Sequence, residues 1–390
     1  MSVSRAQRGL PARGILTCLI AVLAVCGRPE ARHEIAEWRL GGDPTLAIGG
    51  DGSTQTEFLN VSDAWRLPGG AIAVANAGSN ELRVFDAGGK FLHAFGRNGD
   101  GPGEFRQIAW TGHAGDTAFV WDAAHLRITS VLLGDAPHLL KTVPVTIEGD
   151  SGREAIIAGR LTDGRWLVHG MTRPTEFSSG VHRLRGSAGV LDSGGSGTVQ
   201  WLGEAPDIAL FIYNPSGSQK MLMVEPAAFS PFFMTTVSGS SIWFGDTAAD
   251  TLLRVDVATG GKETVRLPDP PVPLPHELVE LTRTEALAST KDSTARALTN
   301  EKFRGSNLPE HLPLYEDIVA GMDGEVWLRM IGAERDAPVQ YLVLSSRGDP
   351  IARVSAPTGL MVMDVGRDYV MGVHRDGDGV ETIRVYSLAQ

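Results

Sequence analysis

Polar and charged side chains stand at the ends of several short apolar segments of this sequence, and their chemical types suit a cation or a polar ligand. Carboxylate, amide and imidazole groups are common donors to divalent cations in proteins. The candidates at segment ends are Asn76, Asp122, His169, Asp246, Arg329 and His374, and a glycine-rich loop adds Arg97, Glu104 and Arg106. These residues form a binding site only if the fold brings the segment ends together.

A structural role competes with ligand binding at each of these positions. Asn and Asp at the end of a strand commonly cap the following turn with their own side chains, and we favour that role for Asn76, Asp122 and Asp246. His169 and His374 are too few to define a metal site on their own. A bound divalent cation therefore stays an open alternative, and no metal ligand is assigned.

Recognised catalytic motifs are absent from the sequence. It has no G-x-S-x-G or H-E-x-x-H pattern, and its two cysteines, Cys18 and Cys26, both lie near the N-terminus. The glycine-rich loop at 99–103 lacks the lysine and the following helix of a phosphate-binding loop. The acidic run at 376–381 is incomplete as a calcium loop, and we interpret it as a hairpin turn. No residue is assigned a catalytic role.

An internal repeat supplies the elements that would position the candidates. Residues 48–58 align with residues 95–105 at an offset of 47, with four of eleven positions identical. After each copy comes an apolar strand, a turn with glycine or aspartate, and a second strand. The second strand recurs six times, at residues 72–75, 118–121, 166–169, 242–244, 326–328 and 370–374.

Six units of about 40 to 50 residues, each a four-stranded antiparallel meander, predict an all-β six-bladed β-propeller. The last unit has only three strands, so residues 46–49 are expected to pair with it and close the ring. Two stretches interrupt the period. Residues 186–218 are interpreted as elaborated strands and loops of blade three. Residues 268–313 are interpreted as a helical insertion before blade five, with helices within 276–303, the alternative being a disordered loop.

The segment 99–105 and the strand end Val84-Phe85-Asp86 resemble the NHL-repeat type of six-bladed propeller. More narrowly, residues 34–388 are similar to exported bacterial six-bladed propellers of unassigned function, for example in Gly324-Glu325-Val326-Trp327 and the strand around Trp38. The resemblance implies a propeller fold. It leaves function open, because such propellers include binding modules, lyases and lactonase-like hydrolases.

The N-terminus reads as an export signal over residues 1–26, with three arginines followed by an apolar run that is too short to span a bilayer. The run ends Leu23-Ala24-Val25-Cys26, which resembles the lipobox of bacterial lipoproteins except at Val25. We therefore expect residues 27–390 to form an exported propeller in the periplasm or cell envelope, either secreted or lipid-anchored at Cys26.

Composition limits the partners. Of the 390 residues 42% are hydrophobic, and the formal charge is −11, so a nucleic-acid partner is not expected. We expect a monomer that binds a protein or a small molecule at the propeller rim. The alternative is a metal-dependent lyase or hydrolase, and a carbohydrate-binding role has only the number of aromatic residues in its favour.

Overall fold

Short strands joined by tight turns make up most of the chain, as the recurring apolar segments predict. The computed structural model describes residues 35–148, 152–172, 174–175, 178–214, 222–332 and 337–390. The export signal and Cys26 lie outside these residues. Two short strands come first, β1 (Ala36–Leu40) and β2 (Leu46–Ile48).

The following strands fall into six groups, in which strands that follow one another pair antiparallel. Group one contains β3 (Val61–Arg66), β4 (Ile72–Asn76), β5 (Glu81–Phe85) and β6 (Phe91–Phe95). Group two contains β7 (Ile108–Ala114), β8 (Thr117–Asp122), β9 (Arg127–Leu132) and β10 (His138–Pro144). A separate parallel pair joins β11 (Thr146–Glu148) to β15 (Ser196–Thr198).

Group three contains β12 (Arg153–Arg160), β13 (Trp166–Thr172), β14 (Gly180–Leu191), β16 (Gln200–Tyr213) and β17 (Met223–Pro226). It therefore has five strands where the sequence predicts four. Most of residues 186–213 belongs to the long β14–β16 hairpin. Glycines in this hairpin admit neighbouring aromatic rings, because a Cβ at Gly186 would clash with Phe233 and one at Gly203 with Phe244.

Groups four and five each have four strands, and group six has three. Group four contains β18 (Phe233–Ser238), β19 (Ser241–Asp246), β20 (Thr251–Asp256) and β21 (Lys262–Arg266). Group five contains β22 (Tyr315–Ala320), β23 (Val326–Met330), β24 (Val339–Leu344) and β25 (Pro350–Ala356). Group six contains β26 (Leu360–Val365), β27 (Tyr369–Arg375) and β28 (Glu381–Ala389).

The hydrophobic core is divided into clusters that lie between neighbouring groups. Trp65 of group one shares a cluster with Val120 of group two, and Trp243 of group four shares one with Leu328 of group five. Another cluster joins the last group to the first, because Met371 packs with Ile72. Packing between sheets therefore accounts for the buried tryptophans. We expect this for aromatic residues on strands whose two faces each pack against a neighbouring sheet.

The N-terminal strands pair with the last two groups. Strand β2 pairs antiparallel with β28, with Ile48 opposite Ile383, so the pairing predicted for residues 46–49 is confirmed. The position of strand β1 was not predicted. It pairs parallel with β25 and antiparallel with the end of β28, so that groups five and six form one sheet.

Helices α1 (His276–Ser289) and α2 (Ser293–Lys302) occupy the predicted helical stretch. The Asp292 side chain caps α2 by accepting the Ala295 N–H at 2.7 Å. Leu298 of α2 packs on Phe211 of β16, so the insertion is anchored on group three. A 3-10 turn follows at Gly305–Asn307. Among the described residues, no helix has the length and apolarity to cross a membrane.

Candidate functional site

Five of the six predicted end-of-strand residues lie at the edge of a group where its first strand begins, and we call this edge the rim. His169 is the exception, because β13 continues to Thr172 and places it in the middle of the strand. The cross-strand pairs are Asn76 with Val61, Asp122 with Ile108, His169 with Ile156, Asp246 with Phe233, Arg329 with Asp317, and His374 with Leu360.

Asn76 is buried and holds two backbone segments together. Its Oδ1 accepts the Leu59 N–H at 2.8 Å, and its Nδ2 donates to the Ser79 hydroxyl at 2.9 Å. The side chain thus fixes both the loop that enters β3 and the turn that follows β4. Both the amide oxygen and the amide nitrogen of Asn76 therefore bond to groups within the protein.

Asp122 is also completely buried, and it anchors a charged network in the loop before β7. Its carboxylate accepts the Gln107 N–H at 3.1 Å and lies 2.6 Å from His125 Nδ1. His125 Nε2 lies 2.9 Å from Asp100, and Asp100 accepts two hydrogen bonds from Arg106 at 2.8 and 2.7 Å. We call Asp100, Arg106, Asp122 and His125 the loop network.

His125 can donate to both carboxylates only when both ring nitrogens carry protons. The hydrogen bonds to Asp122 and Asp100 raise the pKa of His125 above its ordinary value. The pKa of Asp100 is lowered, first by the hydrogen bonds from Arg106 and then by that from His125. The loop network therefore joins Arg106, Asp100, His125 and Asp122 in one continuous series of side-chain hydrogen bonds.

Arg97 and Glu104 close the same glycine-rich loop. Arg97 Nε donates to Glu104 Oε1 at 2.6 Å, and Glu104 Oε2 accepts the Gly101 N–H at 2.8 Å. This backbone hydrogen bond, followed by that from Arg97, lowers the pKa of Glu104. A Cβ at Gly99 would overlap the Glu104 carboxylate, which explains why this turn contains glycine.

His169 and Asp246 belong to a second network, between groups three and four. His169 Nε2 lies 2.9 Å from the buried carboxylate of Asp207, and Arg183 donates to Asp246 at 2.6 Å and to the Asp207 carbonyl at 2.5 Å. Burial alone would raise the pKa of Asp207, but hydrogen bonds from His169 and the Phe233 N–H outweigh it and lower that pKa.

The last two rim candidates stand apart from these networks. Arg329 pairs with Glu316 at 3.0 Å. Burial, followed by the charge of Arg384, lowers the pKa of His374. The nine candidates thus fall into separate clusters instead of converging on one point. Across the described ranges, no three His, Cys, Asp or Glu side chains are grouped so that they could hold a metal ion.

The first strands of the groups line a central cavity of about 410 Å³, which we call the channel. Asp63 of β3 and Asp317 of β22 line it, and the Thr111 hydroxyl donates to Asp63 at 3.1 Å. Burial, reinforced by the charge of Asp364, raises the pKa of Asp63 to about 7. Sequence reasoning missed both aspartates, although each is an acid within an apolar strand.

A larger cavity of about 720 Å³ lies between α1 and the rim end of group five, and we call it the α1 cavity. Its polar lining includes the Arg329–Glu316 pair and a second ion pair between Arg353 and Asp269. Its apolar lining includes Val272, Leu278, Leu314, Met330, Ile331 and Val339. Volumes of about 300 to 1,000 Å³ with apolar walls and a few polar groups are typical of ligand pockets.

Of the residues predicted from sequence, only Arg329 lines the α1 cavity. The others in its wall come from the linker before α1, from α1 itself, and from the strands β22 to β25 and the segments next to them. The sequence signal in this region is the helical insertion predicted for residues 268–313, which supplies both the linker before α1 and α1 itself to the wall.

Comparison with known proteins defines the fold more than the function. No model of a protein family matches the chain. A segment of 90 residues, 23% of this chain, is 34% identical to RING finger protein nhl-1 of Caenorhabditis elegans and spans 9% of that protein's length.

Solved structures that cover nearly the whole chain include two from Bacteroides. A DUF4221 family member from Bacteroides vulgatus is 11% identical, with a TM-score of 0.51 over 92% of this chain and 100% of its own. A Bacteroides fragilis protein, named as a candidate exported protein, is 12% identical, with a TM-score of 0.47 over 90% of this chain and 95% of its own. The chain therefore has a predominantly β, propeller-like fold.

Proposed function

We propose that the chain is an exported six-bladed β-propeller with NHL-like repeats, and that it binds a small molecule in the α1 cavity without catalysing a reaction. The six strand groups, the core clusters between neighbours, and the packing of Met371 against Ile72 support the closed ring. Pairing of β2 with β28 supplies the fourth strand of the last blade.

The observation that carries the binding role is the contrast between rim side chains that are satisfied within the chain and a cavity that is partly open to solvent. The rim side chains accept hydrogen bonds from backbone N–H groups of the chain itself, as in Asn76, Asp122, Asp246 and Glu104. The α1 cavity, in contrast, places ion pairs and apolar side chains around about 720 Å³. The separation of the polar clusters also favours binding over metal-dependent hydrolysis, which needs convergent ligands.

The binding role is tested by calorimetric titration with octanol, a neutral amphipathic probe. Leu278 lines the cavity, whereas Leu281 of the same helix is exposed and does not line it. We expect one saturable site, at least tenfold weaker in Leu278→Asp because a carboxylate replaces apolar wall, and unchanged in Leu281→Asp. Thermal melts verify that both variants fold. Absence of octanol binding, or equal binding by Leu278→Asp, contradicts the proposal.

Export and lipid attachment at Cys26 rest on the N-terminal sequence. Acyl chains contribute about 0.8 kcal/mol per buried CH₂, so two or more chains anchor a protein stably. We expect Cys26→Ser to abolish fatty-acid labelling and to move the protein from the membrane pellet to the soluble fraction. Equal membrane association of both forms would point to an uncleaved helix or a protein partner.

A further inference from the structure

A further cavity lies between groups one and two, at the strand ends opposite the rim, and we call it the hairpin cavity. Its volume is about 350 Å³, which is large enough for a small ligand. Three hairpin turns surround it, those between β3 and β4, between β7 and β8, and between β9 and β10. Strands β5 and β6 complete its described wall, which shares no residue with that of the α1 cavity.

The apolar part of this wall continues the hydrophobic core. Leu67, Val84 and Leu133 are buried members of the cluster that packs group one on group two. Leu92 of β6 lines the same volume and is 48% exposed. A ligand seated here covers apolar surface that otherwise faces water, and this favours a ligand with an apolar body.

Two carboxylates line the hairpin cavity, Asp116 in the β7–β8 turn and Asp135 in the β9–β10 turn. The Leu133 N–H donates to the Asp116 carbonyl at 2.8 Å and ties the two turns together. Neither carboxylate forms an ion pair or a hydrogen bond with the described part of the chain. In the loop network, by contrast, both carboxylates are held by neighbouring side chains.

No lysine or arginine is among the described residues of this wall, so no fixed positive charge neutralises the two aspartates. His93 of β6 supplies the third polar side chain. Its Nε2 is shielded from solvent and has no hydrogen-bond partner among the residues that the structure describes. An unpaired polar atom in such a position is unfavourable, and a ligand N–H group that reaches it would supply the partner.

These three polar groups suit an organic cation better than a metal ion. In the described ranges, no three His, Cys, Asp or Glu side chains are placed so that they could hold a metal ion together. An ammonium or guanidinium group has several N–H donors and can bond to carboxylates that do not converge on one point. It would also enter this wall without breaking an ion pair, because neither aspartate has one.

We infer that the hairpin cavity binds a small organic cation, an ammonium or guanidinium group on a short apolar body. The N–H groups donate to Asp116 and Asp135, and the apolar body lies against Leu92 and the core residues beneath it. This site is separate from the α1 cavity and does not depend on the function proposed for that cavity.

Three aromatic probes of similar size and different charge test the ligand class. Benzylammonium, benzyl alcohol and benzoate are titrated separately into the protein at neutral pH, and the backbone amide NMR signals of Leu92, Asp116 and Asp135 are followed. None of these residues lines the α1 cavity, so their signals report on the hairpin cavity. We expect benzylammonium to bind about fivefold more tightly than benzoate, with benzyl alcohol between them, and this preference to shrink at high salt.

Two results of these titrations would contradict the inference. Benzoate that binds as tightly as benzylammonium, or more tightly, would show that the aspartates do not select a cation. Amide signals that no probe shifts would show that the cavity takes no such ligand.

Charge-neutralising variants identify the groups that hold the cation. Asp116→Asn and Asp135→Asn should each weaken benzylammonium binding about threefold and leave benzyl alcohol binding unchanged. The double variant should lose the preference for benzylammonium over benzyl alcohol. Asp43→Asn is the matched control, because Asp43 is exposed and does not line the cavity. An unchanged preference in the double variant, or an equal loss in Asp43→Asn, would overturn the assignment.

Discussion

The loop network and the α1 cavity are both rich in charge, yet they differ in what surrounds the charges. In the loop network, Asp122 is fully buried and His125 bridges two carboxylates of the chain. In the α1 cavity, the Arg329–Glu316 and Arg353–Asp269 pairs stand on the walls of about 720 Å³. Charge at the rim therefore marks a site only where it faces a volume that a ligand can enter.

The difference follows from the connections between strands. The loop before β7 is short and closes on itself, because the Gly99 N–H donates to the Phe105 carbonyl and the Phe105 N–H to the Arg97 carbonyl. The connection between groups four and five spans two helices, and α2 is anchored on β16. Helix α1 thus lies over the end of group five without filling the space beneath it.

Removing Asp122 gives the largest expected effect on the loop network. Asp122→Ala leaves buried N–H groups and His125 without their acceptor, so we expect the free energy of unfolding to fall by about 3 kcal/mol. Chemical denaturation measures this loss. Octanol binding in the α1 cavity should not change.

Asp116→Ala is the control for that substitution, because Asp116 is an exposed turn residue of the same strand group. It should melt like the wild type. A loss of octanol affinity in a folded Asp122→Ala protein would contradict the separation of the two regions.

A smaller effect is expected from pH, through His125. Its folded-state pKa is raised by the hydrogen bonds to Asp122 and Asp100, so its stabilising contribution is fully present below the unfolded value of about 6.5 and is lost as pH rises through the folded value. The difference in melting temperature between wild type and His125→Gln should therefore shrink from acidic to alkaline pH. A difference that is constant or grows with pH would show that the imidazolium does not hold the loop.

The repeating strands were predictable because their apolar pattern and turn glycines recur locally. The pairing of residues 46–49 with the last group also followed from the repeat offset. The position of β1 did not, because its parallel partner β25 lies some three hundred residues away and no local signal sets that register. The extended β14–β16 hairpin was obscured by its Gly and Ser content, although Gly186 and Gly203 serve aromatic packing there.

The candidate site was less predictable than the fold. Strand-end reasoning located Asp122 at the rim, but His169 lies within β13, which continues to Thr172. The same reasoning also missed their partners His125 and Asp207, which lie outside the second strands. Arg329 was selected as a rim residue, whereas the cavity that it lines depends on how α1 packs over group five. That packing is a tertiary property, and the sequence of the helix alone does not contain it.

The most direct test of the account is the location of a bound probe in solution. Methyl-labelled methionine reports on both cavities, since Met330 lines the α1 cavity and Met361 and Met363 line the channel. During titration with octanol, the account predicts that the NMR methyl signal of Met330 shifts while those of Met361 and Met363 stay in place. Shifts confined to Met361 and Met363 would place the ligand in the channel and contradict the account.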